Sequence, residues 1–291
     1  MNASMQYKIS ALDLEVLMAL VRAGKLEEAG ERLGLDASTV FRTIQRIEKG
    51  LGQRLFERSR RGYLPSELAL ELAGHAEQLE VRLEMARSAA QGSPEQVAGS
   101  VRITTTDTFL HGLLAPALRE LQRTHPLLSY DLHASNELAN LTRHDADIAL
   151  RATKKPPPHL VGKRIGPVKV ALFGPKGGAV DQAKADSAIW IAPDEALPEH
   201  PSVLYRRKHY PRVTPAYRVG SILTVAELVG KGLGIGILPL FLARGRKDLI
   251  QMSNVLDEAQ TDLWLLTHPE SRHLRRVSAV FTYLTQHLKL D

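Results

Sequence analysis

The chain has 291 residues, 44% of them hydrophobic and 24% charged, which suits one large or two ordinary folded domains and speaks against global disorder. It contains no cysteine, so disulfides, thiolate metal sites and cysteine nucleophiles are excluded. The formal net charge of +6 is unevenly spread: residues 42–61 hold seven basic side chains against two acids, whereas residues 67–98 hold six acids against two arginines.

The opening "MNASMQYKIS" lacks the apolar run of a secretory signal, and a cytoplasmic protein is expected. Residues 11–24 predict a first helix with Leu14, Leu17, Met18 and Val21 on its apolar side and Gly24 as its stop. "LEEAGERL" predicts a short second helix, "GLD" a tight turn, and "STVFRTIQRIE" a third helix. In that third helix Val40, Ile44 and Ile47 form one stripe and Asp36 is placed as N-cap. Two short helices joined by a tight turn make a helix-turn-helix, and the small Ala29 allows their close approach. Ser38, Arg42, Gln45 and Lys49 line the opposite face of the third helix, with Arg46 beside them; a solvated polar face is the alternative reading. "RSRRGYLP" predicts a β-hairpin, or wing, with Gly62 in its turn.

Ser66 is placed as the cap of a long helix in which Ala69, Leu72, Ala76, Leu79, Leu83, Ala86 and Ala90 alternate steps of three and four. That narrow seam favours pairing with a second long helix; packing on the protein's own body is the alternative. "QGSPEQVAGS" follows as a linker. Beyond it, "VRITTT", "LSYDLHA", "ADIALRA", "VKVALFG", "AIWIA", "GIGILP" and "DLWLLTH" predict strands separated by helical stretches, an α/β domain with mainly parallel pairing. "GLGIGILPLFLA" is shorter than the ~20 apolar residues a bilayer span needs, so no membrane partner is expected.

Residues 12–71 resemble the winged helix-turn-helix of LysR-type transcriptional regulators. The matching residues are Ala29, Leu33, Leu35, Ser38-Thr39-Val40, Arg42, Ile44, Ile47-Glu48, Leu51-Gly52, "LFERSRRG" and Ser66. The resemblance continues through "VRITTTDTF", "LLAPAL", "DADIALRATKKPPPHLVGKRIG", "VGSILT", "GKGLGIGILP" and "DLWLLTHPESRHLRRV", so it covers nearly the whole chain in order. Phe41, Pro65 and Leu68-Ala69 depart from the family's usual residues. The resemblance implies a winged helix-turn-helix over residues 1–65 and a linker (dimerisation) helix and hinge over 66–98. It also implies a two-lobed, periplasmic-binding-protein-like α/β effector domain over 99–291. Lobe I is expected at about 99–163 and 267–291, lobe II at about 164–266, with the chain crossing near 162–166 and 267–268. It implies a homodimer held by antiparallel linker helices through residues such as Leu72, Leu79 and Leu83, assembling to a homotetramer. The expected partners are double-stranded promoter DNA, a small-molecule effector, further copies of the chain and RNA polymerase. No cofactor, metal or catalysis is expected, and the mildly basic effector half points to an anionic ligand.

Ser38, Phe41, Arg42 and Gln45 are candidates for base edges, since Arg suits guanine and Gln adenine. Phe41 meets a thymine methyl or packs under the wing, and Ser38 and Thr39 can instead hold phosphates. Arg46 belongs to the same DNA-binding set. Arg58, Arg60 and Arg61 in the wing suit phosphates or the minor groove, with a structural ion pair as the alternative for Arg58. For the effector, Thr106 and Thr108 in "TTTDTF" and Ser221 and Thr224 in "GSILT" lie at strand-to-helix junctions where free N–H groups gather; Ser135, Asn136 and Arg151 complete the rim. Ordinary helix capping is the alternative for each hydroxyl, and Asp107 opposes an anion unless it points away. An enzyme is disfavoured. "GLGIGILP" has a helix before it and a strand after it, the reverse of a dinucleotide loop, and no H-E-x-x-H or G-x-S-x-G occurs. A solute-binding protein would leave the basic helix-turn-helix unexplained.

Overall fold

The computed structural model describes residues 7–59, 62–91, 97–136, 146–177, 182–269 and 271–290. The chain divides into two compact units, Met1–Pro94 and Glu95–Asp291.

The first unit opens with α1 (Ala11–Ala23), α2 (Leu26–Leu33) and α3 (Ala37–Leu51). Ser10 and Asp13 form a reciprocal capping box at the start of α1, and Gly24 ends it in the left-handed conformation. Val40, Ile44 and Ile47 are buried as predicted, joining Val16, Leu17, Leu20, Ala29, Leu55 and Phe56 in one core. Ala29 is fully buried, but Gly30 sets the tightness of the turn: a Cβ there would overlap the Leu35 carbonyl oxygen. Asp36 occupies the N-cap position of α3, yet its side chain makes no capping bond; this corrects the expectation from sequence. The turn is closed by backbone instead, Thr39 N–H donating to the Asp36 carbonyl at 2.9 Å.

β1 (Phe56–Ser59) and β2 (Gly62–Pro65) form the wing, an antiparallel hairpin. It is pinned at both ends. The Glu48 carboxylate accepts from the Leu55 and Phe56 N–H groups at 2.8 and 3.2 Å, and Tyr63 N–H donates to the Gly24 carbonyl at 2.7 Å. Gly62, at φ +123, lies so close to that carbonyl that no other residue fits. Ser66 caps α4 (Glu67–Gln91) by accepting from Ala69 N–H at 3.2 Å. The first half of α4 packs on its own unit. Ala69, Ala73 and Ala76 are buried, and Arg22 of α1 pairs with Glu77 at 2.9 Å and Glu80 at 3.4 Å. Part of the predicted seam, Ala69 and Ala76, is thus buried within the unit, and Ala73, outside the seam, belongs to the same buried face. Leu72, Leu79 and Leu83 remain half-buried.

The second unit begins with β3 (Gly99–Thr105), followed by α5 (Asp107–Phe109), a π-helical turn (Leu110–Leu114) and α6 (Ala115–Thr124). Pro116 explains the π-turn: it has no N–H for the Gly112 carbonyl, and widening the preceding turn relieves the clash. There follow β4 (Leu128–Ala134), β5 (Ile148–Ala152), β6 (Val161–Val168), β7 (Val170–Pro175) and β8 (Ile191–Ala192). Next come α7 (Pro201–His209), β9 (Tyr217–Arg218), α8 (Ile222–Gly230), β10 (Gly236–Pro239), α9 (Leu240–Ala243), β11 (Leu249–Gln251), β12 (Thr261–Thr267) and α10 (Arg275–His287). One sheet has the order β4-β3-β5-β12-β6 and another β10-β7-β11; β8 and β9 pair separately.

Two expectations are corrected. Pairing is not mainly parallel: β3 runs parallel to β4 and β5, but β12 is antiparallel to both its neighbours and β7 to both of its own. The crossings also move. β6 lies wholly in the first sheet and β7 in the second, so the chain leaves lobe I at Lys169. Met252, Leu256 and Ala259 still pack in the lobe II core, whereas β12 belongs to the first sheet; the return therefore lies at Gln260, not at 267–268. The physical cause is that both crossover strands complete the lobe I sheet, where β12 lies between β5 and β6.

Candidate functional sites

On α3 the buried stripe turns Ser38, Thr39, Arg42, Gln45 and Arg46 to solvent, with Phe41 half-buried at the edge. Ser38, Thr39, Arg42 and Gln45 have no side-chain hydrogen bond or ion pair among the described residues. Arg46 differs. Its guanidinium pairs at 2.5 Å with Asp13, whose side chain is only 4% exposed. The same carboxylate accepts from the Tyr7 hydroxyl and the Ser10 N–H, both at 3.0 Å. Burial pushes the Asp13 carboxyl up, but the Ser10 hydrogen bonds, the Tyr7 hydroxyl and Arg46 together hold it below its ordinary value. Tyr7 packs where Gly50 leaves room, so the segment before α1 covers the C-terminal part of α3. Sequence reasoning missed this Tyr7–Asp13–Arg46 cluster because its members are far apart in the chain.

In the wing, Arg58 stands opposite Tyr63 in the strand register. Its Nε donates to the Tyr63 hydroxyl at 3.1 Å and its Cζ lies 5.7 Å from the ring centroid. The ion pair considered for Arg58 is replaced by this aromatic support, which holds the guanidinium at the exposed surface. Arg60, Arg61 and the side chain of Ala90 lie outside the described residues.

In the second unit the predicted hydroxyls mostly cap helices. Thr106 Oγ1 accepts from Phe109 N–H at 3.4 Å, and Ser221 Oγ accepts from Thr224 N–H at 3.1 Å and lies 3.0 Å from Thr224 Oγ1. Asp107 folds back onto its own turn, its carboxylate accepting from the Thr108 N–H at 2.6 Å and the Thr108 hydroxyl at 3.2 Å. The Thr108 hydroxyl is thereby occupied.

Arg151 has a different environment. At the end of β5, its Nη1 donates to the Ser135 carbonyl at 2.6 Å and its Nη2 to Thr104 Oγ1 at 2.7 Å. Both partners are neutral, and no carboxylate pairs with this guanidinium among the described residues. Burial lowers its pKa from the ordinary arginine value. From the adjoining loop, Asn136 Nδ2 reaches the Gly220 carbonyl of lobe II at 3.5 Å, next to Ser221. α5 also packs against α8, and Phe109 stacks on Phe241 of lobe II at 5.5 Å. A Cβ on Gly112 would come within 2.6 Å of the Phe241 ring, so glycine permits this closeness of the lobes. Of the predicted effector residues, Ser135 and Arg151 are joined within lobe I with Thr104, and Asn136 reaches the backbone beside Ser221 in lobe II, near the Phe109–Phe241 stack. Thr104 and Phe109 are the members that sequence reasoning did not name; Thr104 is the strand position preceding two predicted threonines. Asp147, just before β5, is buried in an ion pair with Arg102 at 2.8 Å. No cluster of three metal-ligating side chains occurs among the described residues.

Comparison with known proteins agrees with this architecture. Residues 12–70 match the family model for bacterial regulatory helix-turn-helix proteins of the lysR family, and residues 94–289 match the LysR substrate binding domain. The Mau operon transcriptional activator of Paracoccus denitrificans is 28% identical over 277 residues, 90% of each chain. A full-length OxyR variant from Pseudomonas aeruginosa superposes with a TM-score of 0.74 at 15% identity, covering 97% of this chain and 99% of that one. CrgA from Neisseria meningitidis superposes at 0.55 with 20% identity, covering 96% and 99%. With its basic helix-turn-helix and two-lobed ligand domain in this order, the chain belongs to the LysR family of transcriptional regulators, proteins with a DNA-binding and an effector-binding domain.

Proposed function

We propose that this regulator reads promoter DNA with Ser38, Phe41, Arg42 and Gln45 and responds to an anionic effector held by Arg151 between its lobes. The observation that carries the reading is the contrast among three arginines. Arg42 is exposed and without a partner, as a base-reading side chain must be before it meets DNA. Arg46 is committed to Asp13, so it acts mainly as a brace for α3 and contributes only general attraction to phosphate. Arg151 is a sheltered positive charge with neutral partners, and an anion would supply the missing counter-charge.

Arg58 on Tyr63, with Arg60 and Arg61, meets the DNA backbone or minor groove. Asn136, Ser135 and the α8 cap at Ser221 and Thr224 line the effector's other sides, while Thr106 and Thr108 shape the turn in lobe I. The half-buried Leu72, Leu79 and Leu83 support a homodimer through paired linker helices, with a homotetramer as the larger assembly. Effector binding biases lobe closure, and closure biases how copies pack on DNA and how RNA polymerase is engaged. On this reading the protein is a cytoplasmic regulator without catalytic activity. No helix among the described residues is long and apolar enough to cross a membrane.

Two experiments test the two halves of the proposal. Gel shifts with the DNA upstream of the protein's own gene, at two salt concentrations, are expected to show a salt-sensitive specific complex; its absence at low salt sinks the DNA reading. A thermal-shift screen of small carboxylates is expected to yield hits that raise the melting temperature of the native chain and not that of Arg151→Ala. Hits that stabilise both equally would place the anion elsewhere.

A further inference from the structure

Far from the predicted cleft residues in sequence, α10 displays a second concave surface. Val277, Val280, Leu284 and Leu288 form its buried stripe. The opposite face, together with Val97 and the C-cap of α6, lines a groove of ≈ 620 Å³. That size suits a small molecule. The groove's two ends differ chemically. At the end where α10 begins are Arg272, His273 and Arg275, and His125 also lines the groove. Among the described residues neither Arg272 nor Arg275 has a carboxylate partner, and no acid lines the groove. Two permanent positive charges therefore share one concavity with two imidazoles, at the N-terminus of a 13-residue helix whose dipole adds to the same field.

Towards the other end, the α10 face carries Ser278, Thr282 and Gln286, which are neutral hydrogen-bonding groups. Tyr283 lies between them, braced by a stacked His287 at 4.0 Å. The hydroxyl of Tyr130, close enough to Tyr283 to feel its phenol, is buried and has no hydrogen-bond partner. Burial and that neighbour push its pKa up to about 12, so it stays a proton donor throughout the physiological range.

We propose that this groove binds a phosphorylated polyhydroxy compound, its phosphate at Arg272 and Arg275 and its hydroxyl-bearing body along Ser278, Thr282 and Gln286. Charge balance selects the head group. A single carboxylate neutralises one guanidinium, whereas a phosphate monoester carries about −1.5 to −2 at pH 7 and offers three acceptor oxygens to the two planar forks. The neutral, donor-rich stretch along α10 selects the body, since an apolar one would leave those groups desolvated without partners. This site is separate from the Arg151 cleft and stands whether or not that cleft takes an anion.

The experiment is calorimetric titration of the full-length chain with ribose 5-phosphate, inorganic phosphate and ribose. Ribose 5-phosphate is expected to bind at least about tenfold more tightly than inorganic phosphate, and ribose not measurably, because the head group supplies most of the attraction. The double variant Arg272→Ser/Arg275→Ser should weaken ribose 5-phosphate about tenfold or more, while Arg151→Ala leaves it unchanged. Thr282→Ala/Gln286→Ala should weaken ribose 5-phosphate and spare inorganic phosphate. Absence of binding by both phosphates, or equal binding by the wild type and the arginine variant, overturns the site. Loss of binding in Arg151→Ala moves the anion to the cleft and overturns it as well. Equal affinity for ribose 5-phosphate and inorganic phosphate overturns the assignment of the body.

Discussion

Arg42 and Arg46 are four residues apart on one helix, and their neighbours separate their roles. Arg42 has only solvent before it, so Arg42→Ala should leave stability nearly unchanged and cost ~1–3 kcal/mol on a cognate site, relaxing specificity at one base pair. Uniform weakening across all sequences would make it a phosphate contact instead. Arg46→Ala should do the converse: destabilise the first unit by about 1 kcal/mol, since it removes a charged hydrogen bond from a buried carboxylate, with a smaller effect on specificity. Denaturant titration of both variants beside gel shifts on matched and mismatched sites separates the two effects. Asp13 also imposes a pH dependence. Its folded pKa lies below the ordinary 3.8, so its contribution is complete above that value and is lost as pH falls through the depressed folded value. The stability gap between wild type and Asp13→Asn should therefore be widest near neutral pH and close below about pH 4; a gap independent of pH would dissociate Asp13 from acid sensitivity. The periodicity of α3 located these side chains on its outer face, but the partner of Arg46 comes from α1 and could not be inferred from local spacing.

The elements show the same division between local and distant causes. Helix stripes, the Gly24 stop and the Ser66 cap were legible because each depends on residues within a turn or two. β6 was not legible. "VGKRIGPV" has little apolar alternation, and it can be a strand because it lies at a sheet edge, where charge and Pro167 are tolerated. β9 and β11 have two and three residues, too few for any period. Gly30 makes a sharp test of the helix-turn-helix. Gly30→Ala adds one methyl, favourable by helix propensity alone, but the Cβ would overlap the Leu35 carbonyl oxygen. The variant should lose about 1–3 kcal/mol, read by chemical denaturation, together with DNA affinity. A gain in stability would mean that the turn between α2 and α3 is looser than described.

At the scale of the whole molecule, the linker helix connects folding to assembly. Its alanines are spent on α1, whereas Leu79 and Leu83 stay half-buried in the single chain. If the proposed dimer forms through this helix, Leu79→Glu/Leu83→Glu should leave a monomer in sedimentation velocity where the wild type sediments as a dimer or larger, and should weaken operator binding, while circular dichroism stays unchanged. A variant that still dimerises would move the interface off this helix. The sequence by itself determined the order of a basic helix-turn-helix, a long helix and an α/β ligand domain, because these rest on composition, caps and periods read within short windows. Only the tertiary structure decided that β12 closes the lobe I sheet antiparallel, that Arg46 is braced by Asp13, and that Arg151 is sheltered among neutral partners. Those outcomes depend on contacts between residues tens to more than a hundred positions apart, and such contacts leave no periodic trace in the chain.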